Sequence, residues 1–330
     1  MRPRSPRSFL LAAVVLVAAG CAGGGAERPA QAPLTAATEQ TTTTQAPTTT
    51  EAVAFPVTIK TGAGEVTVEE RPERVVSLSP TATEMLFALG AGGQVVATDD
   101  FSNYPAEAQV TEKLGSGFEV NVEAVAAAEP DLVVLSFESG EVVESFRALG
   151  IPALLHPAAE TLEDTHAQIE QLGAATGHGA EATELVAGMQ AEIEEIASEV
   201  PEPPQPLTYY HELTTNLDSV TSATFIGQIY GLVGLRSIAD ETTGAGPYPQ
   251  LSAEFIIESD PDLIFLADVQ CCGVTAQTIA ERPGWGTLTA VEQARVVELD
   301  GDVASRWGPR VVDFLRTVAN EVAGALEPAG

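Results

Sequence analysis

Positive charge is scarce in this chain. It has 15 lysines and arginines against 47 aspartates and glutamates, a formal net charge of −32. A body so acidic is repelled by nucleic-acid phosphates and anionic lipid, which excludes both as ligands. Cysteine is scarce as well, with three in 330 residues. That excludes a disulfide-built scaffold, and the four histidines (His156, His166, His178 and His211) are too scattered to complete a metal site. Beyond residues 9–19, no apolar run approaches the roughly 20 residues of a membrane-spanning helix. There is no Gly-x-Ser-x-Gly elbow, phosphate loop or His-Glu-x-x-His. Gly90-Ala-Gly-Gly93 lacks the last glycine of a dinucleotide fingerprint and follows a helical pattern, not a strand. No catalytic residue, metal site or cofactor is expected, and the chain is not read as an enzyme.

The N-terminus is more informative. Arg2, Arg4 and Arg7 precede the short apolar run, and Ala18, Ala19 and Gly20 lead into Cys21. This is the layout of a signal peptide over residues 1–20. The cysteine resembles that of a lipobox, which implies lipidation of Cys21 and an extracytoplasmic protein held at the cell membrane. Residues 21–54, rich in Thr, Ala and Pro, cannot bury enough surface to order themselves and read as a disordered tether.

The remainder alternates strand and helix, which implies parallel βα units. Strands are expected over 74–78, 94–98, 132–135 and 152–156, then 207–211, 263–266 and 295–299. Helices are expected over 81–89, 123–128, 142–149 and 161–176, then 225–232, 253–259, 276–281 and 309–326. Thr81 and Glu84 have the spacing of a capping box. Between the halves, Leu185, Met189, Ile193, Ile196 and Val200 form one apolar stripe along a helix of about 30 Å. The adjacent Cys271 and Cys272 are either a vicinal disulfide or two buried thiols.

One pattern occurs twice. Glu123 stands seven residues before Pro130-Asp131-Leu132, and Glu254 seven before Pro261-Asp262-Leu263; each proline-aspartate pair leads into an apolar strand. Two such units around a long helix suggest two similar α/β lobes: residues 55–178, a connecting helix 179–201, and residues 202–330. A cleft between lobes is a favoured small-molecule site.

The stretches Arg74-Val-Val-Ser-Leu-Ser-Pro80-Thr-Ala-Thr-Glu84, Phe87-Ala-Leu-Gly90, Tyr104-Pro105, Tyr248-Pro-Gln-Leu-Ser-Ala-Glu254 and Arg306-Trp307-Gly308-Pro309-Arg310 resemble the cobalamin and iron-siderophore solute-binding protein family. The resemblance runs over about residues 71–325. It implies two Rossmann-like lobes joined by a single long helix, and a monomeric carrier that delivers a metal chelate (cobalamin or a ferric siderophore, with haem a further option) to an ABC permease. By the same resemblance Glu123 and Glu254 dock on the permease. Phe101, Phe118, Phe137 and Tyr248 would supply aromatic cleft walls, Phe118 standing one place from a family aromatic position held here by Gly117. Asp302, Arg306 and Trp307 would reach the ligand from a C-terminal loop, with Arg306 holding an anionic chelate and Trp307 stacking. Tyr210 and His211 end a strand expected to face the cleft. An anchored sensor or scavenger with the same cleft is the alternative.

Overall fold

The computed structural model describes residues 53–326 except 62, 63, 138, 139, 204, 243 and 245. The expectations for the signal peptide, for Cys21 and for the tether through residue 52 lie outside the described residues.

A hairpin of β1 (Val57–Thr61) and β2 (Gly64–Val68) opens the body; it was not among the expected elements, although Val57, Ile59, Val66 and Val68 alternate with polar residues as in a half-buried strand. Five parallel strands follow: β3 (Val75–Leu78), β4 (Val95–Thr98), β5 (Glu112–Lys113), β6 (Leu132–Leu135) and β7 (Ala153–Leu155). Their order in the sheet is β5-β4-β3-β6-β7. Between them run α1 (Pro80–Ala88), α2 (Val122–Ala127) and α3 (Gly140–Ala148). Then come α4 (Leu162–Thr176) and the 21-residue α5 (Gly179–Glu199).

The second sheet contains β8 (Thr208–Glu212), β9 (Arg236–Ser237), β10 (Leu263–Leu266) and β11 (Val296–Glu298), again parallel, in the order β11-β10-β8-β9. Its helices are α6 (Phe225–Gly231), α7 (Ala253–Ser259), α8 (Val269–Cys272), α9 (Ala276–Ala280), α10 (Thr289–Glu292), α11 (Gly301–Ser305) and the terminal α12 (Val311–Leu326). These are the parallel α/β units anticipated from the alternating pattern, in the two sheets anticipated from the repeat.

Every residue of β3, β6 and β10 is buried, as strands covered on both faces require. Side-chain alternation divides their packing. Leu132 and Val134 from the first sheet and Leu263 and Phe265 from the second join one core with Met189 and Ile193 of α5 and Phe314 of α12. Val133 and Leu135 pack into a separate cluster, and Ile264 and Leu266 into another. The helix α5 therefore seals its buried face against both lobes. That face carries Ala182, Val186, Met189, Ile193 and Ile196. The expected stripe is displaced at its ends: Leu185 and Val200 are only partly buried against the core.

The repeat has a structural basis. Both oxygens of Asp131 accept backbone N–H groups at the entry to β3, from Glu73 at 2.7 Å and Arg74 at 2.9 Å. One oxygen of Asp262 accepts the N–H and the hydroxyl of Thr208, at the entry to β8, at 2.8 and 3.0 Å. In each lobe the aspartate that opens the second central strand fastens the start of the first. The helix ahead of each aspartate ends in a left-handed residue, Glu129 (φ 49°) in one and Asp260 (φ 42°) in the other.

The expected Thr81–Glu84 capping box does not form. Ser79 caps α1, its hydroxyl accepting the Ala82 N–H at 3.2 Å, with Pro80 in the first turn. Glu84 is buried and turned toward two arginines from the other end of the chain. Complete capping boxes do close α4, through Thr161 and Asp164, and α9, through Thr275 and Thr278.

Candidate ligand-binding site

In both sheets the strand order reverses beside the first central strand, between β3 and β6 and between β8 and β10. Ligands of open parallel sheets bind beyond the carboxyl ends of such strands. At the first lobe's reversal the chain places hydroxyls. Ser136, just after β6, donates to Ser79 Oγ at 2.6 Å, and Thr83 Oγ1 lies 2.8 Å from both Ser77 and Ser102. Ser102 in turn donates to Asp99 at 2.5 Å. Burial raises the Asp99 carboxyl above its usual range, and the Lys113 ammonium nearby is lowered by its own burial.

Above this polar floor lies a row of aromatic rings. Phe101 meets Phe118 edge-on with centroids 6.1 Å apart, and Phe118 stacks on Phe137 at 4.6 Å. Phe137 meets Trp307 edge-on at 6.0 Å. The phenylalanines are 52%, 61% and 37% exposed, an unusual concentration of apolar rings in water. Position 117 could not have carried the aromatic, because a Cβ there would strike the Leu78 carbonyl oxygen; the ring stands at Phe118 instead. Trp307 does not offer a stacking face. It is nearly buried behind Phe137, and its Nε1 donates to Gln168 at 3.0 Å.

Trp307 belongs to a segment that crosses from the second lobe to the first. Arg306 Nη1 donates to Glu84 at 2.7 Å and Asn103 at 2.9 Å, and its Nη2 reaches the Phe101 carbonyl at 3.1 Å and Asp302 at 2.8 Å. Asn103 Nδ2 donates to Asp302 at 2.7 Å. Arg310 grips Glu84 with two bonds of 2.8 and 2.6 Å, and its guanidinium lies 4.1 Å over the Tyr104 ring. The expectation that Arg306 holds an anionic chelate is thereby corrected: two carboxylates and two carbonyl oxygens already occupy it. Asp302 is likewise engaged within this lattice. A groove of about 790 Å³ opens beside the same hub, lined by Phe87, Tyr104, Pro105, Pro309 and Arg310; none of the phenylalanines of the row lines it.

On the second lobe, Tyr248 is 53% exposed. Tyr210 and His211 do not face a cleft. Both are fully buried; the Tyr210 hydroxyl donates to Glu212 at 3.1 Å, and His211 Nδ1 lies 2.8 Å from the Tyr230 hydroxyl. Burial lowers His211 to about 3 and holds it neutral. Below them Glu212 takes a bidentate grip from Arg282, both bonds 2.6 Å. Beside it Asp268 is fully buried, and neither carboxylate oxygen has a hydrogen-bond partner. Burial, then the Glu212 charge, raises Asp268 to about 6. Cys271 and Cys272 form a disulfide and are exposed, not buried thiols.

Glu123 and Glu254 occupy the first turns of α2 and α7. Each helix leads into a central parallel strand, so its first turn lies at the carboxyl edge of its sheet, the edge that also carries Phe137. Both glutamates are exposed, and neither has a hydrogen-bond or ion-pair partner among the described residues.

The Glu84–Arg306–Arg310 hub and the Glu212–Arg282–Asp268 cluster had not been singled out. A signal existed for the first: in a chain so short of arginine, two spaced by four residues beside a tryptophan imply a buried acid that needs them.

Comparison with known proteins agrees with this geometry. The family model described as "Periplasmic binding protein" matches residues 75–303. An uncharacterized ABC transporter substrate-binding lipoprotein, YvrC, of Bacillus subtilis (strain 168) is 30% identical over 278 residues, 81% of this chain and 86% of the relative. A vitamin B12-binding protein of Pectobacterium atrosepticum is 30% identical over 76% of this chain and 89% of its own length. Among solved structures, the periplasmic haem-binding protein RhuT of Roseiflexus sp. RS-1 superposes with a TM-score of 0.68 at 25% identity, over 77% of this chain and 99% of that one.

Proposed function

This chain belongs to the periplasmic binding protein family, a family of binding proteins rather than enzymes, and from that premise we propose that it is the lipid-anchored substrate-binding component of an ABC importer whose cargo is a corrinoid-type metal chelate. The lobes 55–178 and 202–330 hold the cargo between them on either side of helix 179–201, and Cys21 carries the anchor.

The observation that carries the cargo assignment is an exposed aromatic row with no uncommitted cation beside it. Among the described residues, each basic group near the row or at the second lobe's strand reversal is already matched. Arg306 and Arg310 share Glu84, and Arg282 holds Glu212. Lys113 donates to Thr98, Ser102 and Ala108 at 2.8, 2.6 and 3.1 Å. A ferric catecholate carries several negative charges and haem carries propionates; either would bury its charge unpaired in an acidic protein. A corrin ring with neutral carboxamides brings a broad, weakly charged face that suits stacked phenylalanines. The vitamin B12-binding relatives support the same choice.

Transport, in preference to sensing or scavenging, is supported by the matched, unpartnered Glu123 and Glu254. One acid per lobe on a common edge suits two basic sockets of a dimeric permease and fixes orientation on docking.

Absorbance titration of the purified body with cyanocobalamin, haemin and a ferric catecholate tests the cargo. Cyanocobalamin is expected to bind at least tenfold more tightly than either of the others. Preferential binding of haemin or the catecholate overturns the assignment.

A further inference from the structure

The second lobe has to supply the opposite wall of the site, and among its described residues the large exposed apolar side chains are Leu232 and Tyr248. Leu232 follows α6 and lines a groove with Val200 and Pro203, where α5 ends and the chain enters β8. It therefore lies at the amino edge of the sheet. Tyr248 lies at the carboxyl edge. The Ser219 N–H donates to the Pro249 carbonyl at 2.9 Å and the Thr221 N–H to that of Pro247 at 3.0 Å, strapping the tyrosine loop to the segment that leaves β8. One tyrosine ring does not match three phenylalanines across a cleft.

The same edge carries the disulfide. Cys271 and Cys272 sit in α8, directly beyond the carboxyl end of β10, and no residue of α8 is buried. The turn is held in place. Gln270 Nε2 donates to the Leu299 carbonyl at 3.3 Å, and the Gly301 N–H donates to Gln270 Oε1 at 3.0 Å. A Cβ on Gly301 would run into the Ala267 carbonyl oxygen, so the two backbones touch. The segment thus pinned continues through Asp302 to Arg306 and reaches the first lobe at the Phe101 carbonyl. The sulfur pair accordingly stands beside the bridge that leads to the aromatic row.

Stability does not account for the bond. A disulfide stabilises mainly by closing a long loop in the unfolded chain, and a bridge between neighbours closes none. As a surface it has definite chemistry. It has no hydrogen-bond donor, its two sulfurs are polarizable, and its ring closure keeps them from swinging apart; polarizable sulfur packs well on conjugated ring faces. Two free thiols would be mobile weak donors. An extracytoplasmic compartment keeps the pair oxidised. We propose that the Cys271–Cys272 disulfide, together with Tyr248, is the face that the second lobe presents to the conjugated ring of the ligand. The proposal rests on the corrinoid reading above.

Cyanocobalamin titration followed by absorbance first establishes binding to the unaltered protein; absence of binding there removes the proposed cargo, and this inference with it. Given binding, the double variant Cys271→Ser, Cys272→Ser is expected to bind roughly threefold to tenfold more weakly, the range of a sulfur–ring contact, with an unchanged melting temperature. A second measurement separates contact from fold. In protein reduced with a phosphine, saturating cyanocobalamin is expected to slow maleimide labelling of Cys271 and Cys272 at least tenfold. Labelling of a Leu149→Cys probe in the double-serine background, on the outer surface after α3, is expected to stay unaffected. Unchanged affinity in the double variant, or equal labelling with and without bound ligand, overturns the proposal.

Discussion

Arg310 closes on Glu84 with two hydrogen bonds across 226 residues of sequence, and Arg306 adds a third contact to the same buried carboxylate. One acid in the first lobe thereby receives both arginines of a segment arriving from the second. Two cations against Glu84 and the half-exposed Asp302 make a neutral set, which is what allows it to sit largely out of water.

Removing the shared carboxylate leaves two arginines in a shielded place with one carboxylate, Asp302, between them. Glu84→Ala is expected to destabilise the body by roughly 3 to 5 kcal/mol, the cost of breaking a buried ion pair from one side. Urea unfolding checks this, and the loss is expected to persist at high salt because the set is shielded from counterions.

Phe118 packs mainly against other exposed rings, so truncating it tests cargo binding apart from folding. Phe118→Ala is expected to alter stability by no more than about 0.5 kcal/mol. Cyanocobalamin affinity is expected to fall about tenfold, roughly 1.4 kcal/mol. Calorimetric titration alongside thermal melting reads both.

Charge reversal at the paired acids separates docking from capture. Glu123→Lys with Glu254→Lys is expected to leave cyanocobalamin affinity unchanged and abolish uptake by cells that depend on the importer. Each reversal also sets a cation at a helix N-terminus, with an expected cost of about 0.3 to 1 kcal/mol. Undiminished uptake removes the docking assignment.

Asp268 gives stability a pH dependence of known sign. Its folded pKa is raised from 3.8 to about 6, so the folded state holds a proton that the unfolded state releases. The contribution is complete below about pH 4 and is lost as pH rises through 6. His211 and His156, lowered by burial to about 3 and about 4, act in the opposite sense: their stability is present above pH 6.5 and is lost as pH falls through those values. Asp268→Asn is therefore expected to stabilise the protein at pH 8 by roughly 1 to 2 kcal/mol and to leave the acid-side loss in place. Denaturant melts between pH 4 and pH 8 measure this.

The two strand-entry aspartates are expected to differ. Asp262 is partly buried and Asp131 exposed, so water replaces the lost acceptor more readily at Asp131. Asp262→Ala is expected to cost about 1 to 3 kcal/mol and Asp131→Ala less, by chemical denaturation.

Periodicity and punctuation decided much of this protein in advance. The α7 and β10 bounds coincide with the expected helix 253–259 and strand 263–266, because Pro261 separates two local apolar patterns, ending the helix and preceding the strand. The hairpin β1–β2 was legible and was missed: apolar and polar residues alternate along both of its strands, the period of a half-exposed pair. The helix start at Ser79 was misread because Thr81 and Glu84 satisfy a local rule whose outcome depends on where the glutamate side chain finds a partner.

The sequence by itself determined the alternation of strands and helices, the twofold pattern around Glu123 and Glu254, and the acidity that opposes polyanionic partners. Only the tertiary structure decided which charges were already taken, that Arg306 is engaged by Glu84 and Asp302, that Tyr210 and His211 are buried, and that the two adjacent sulfurs lie exposed. The physical reason is range. Backbone pattern and net charge are sums over neighbours in the chain, whereas a side chain's partner is set by elements brought together from more than two hundred residues away.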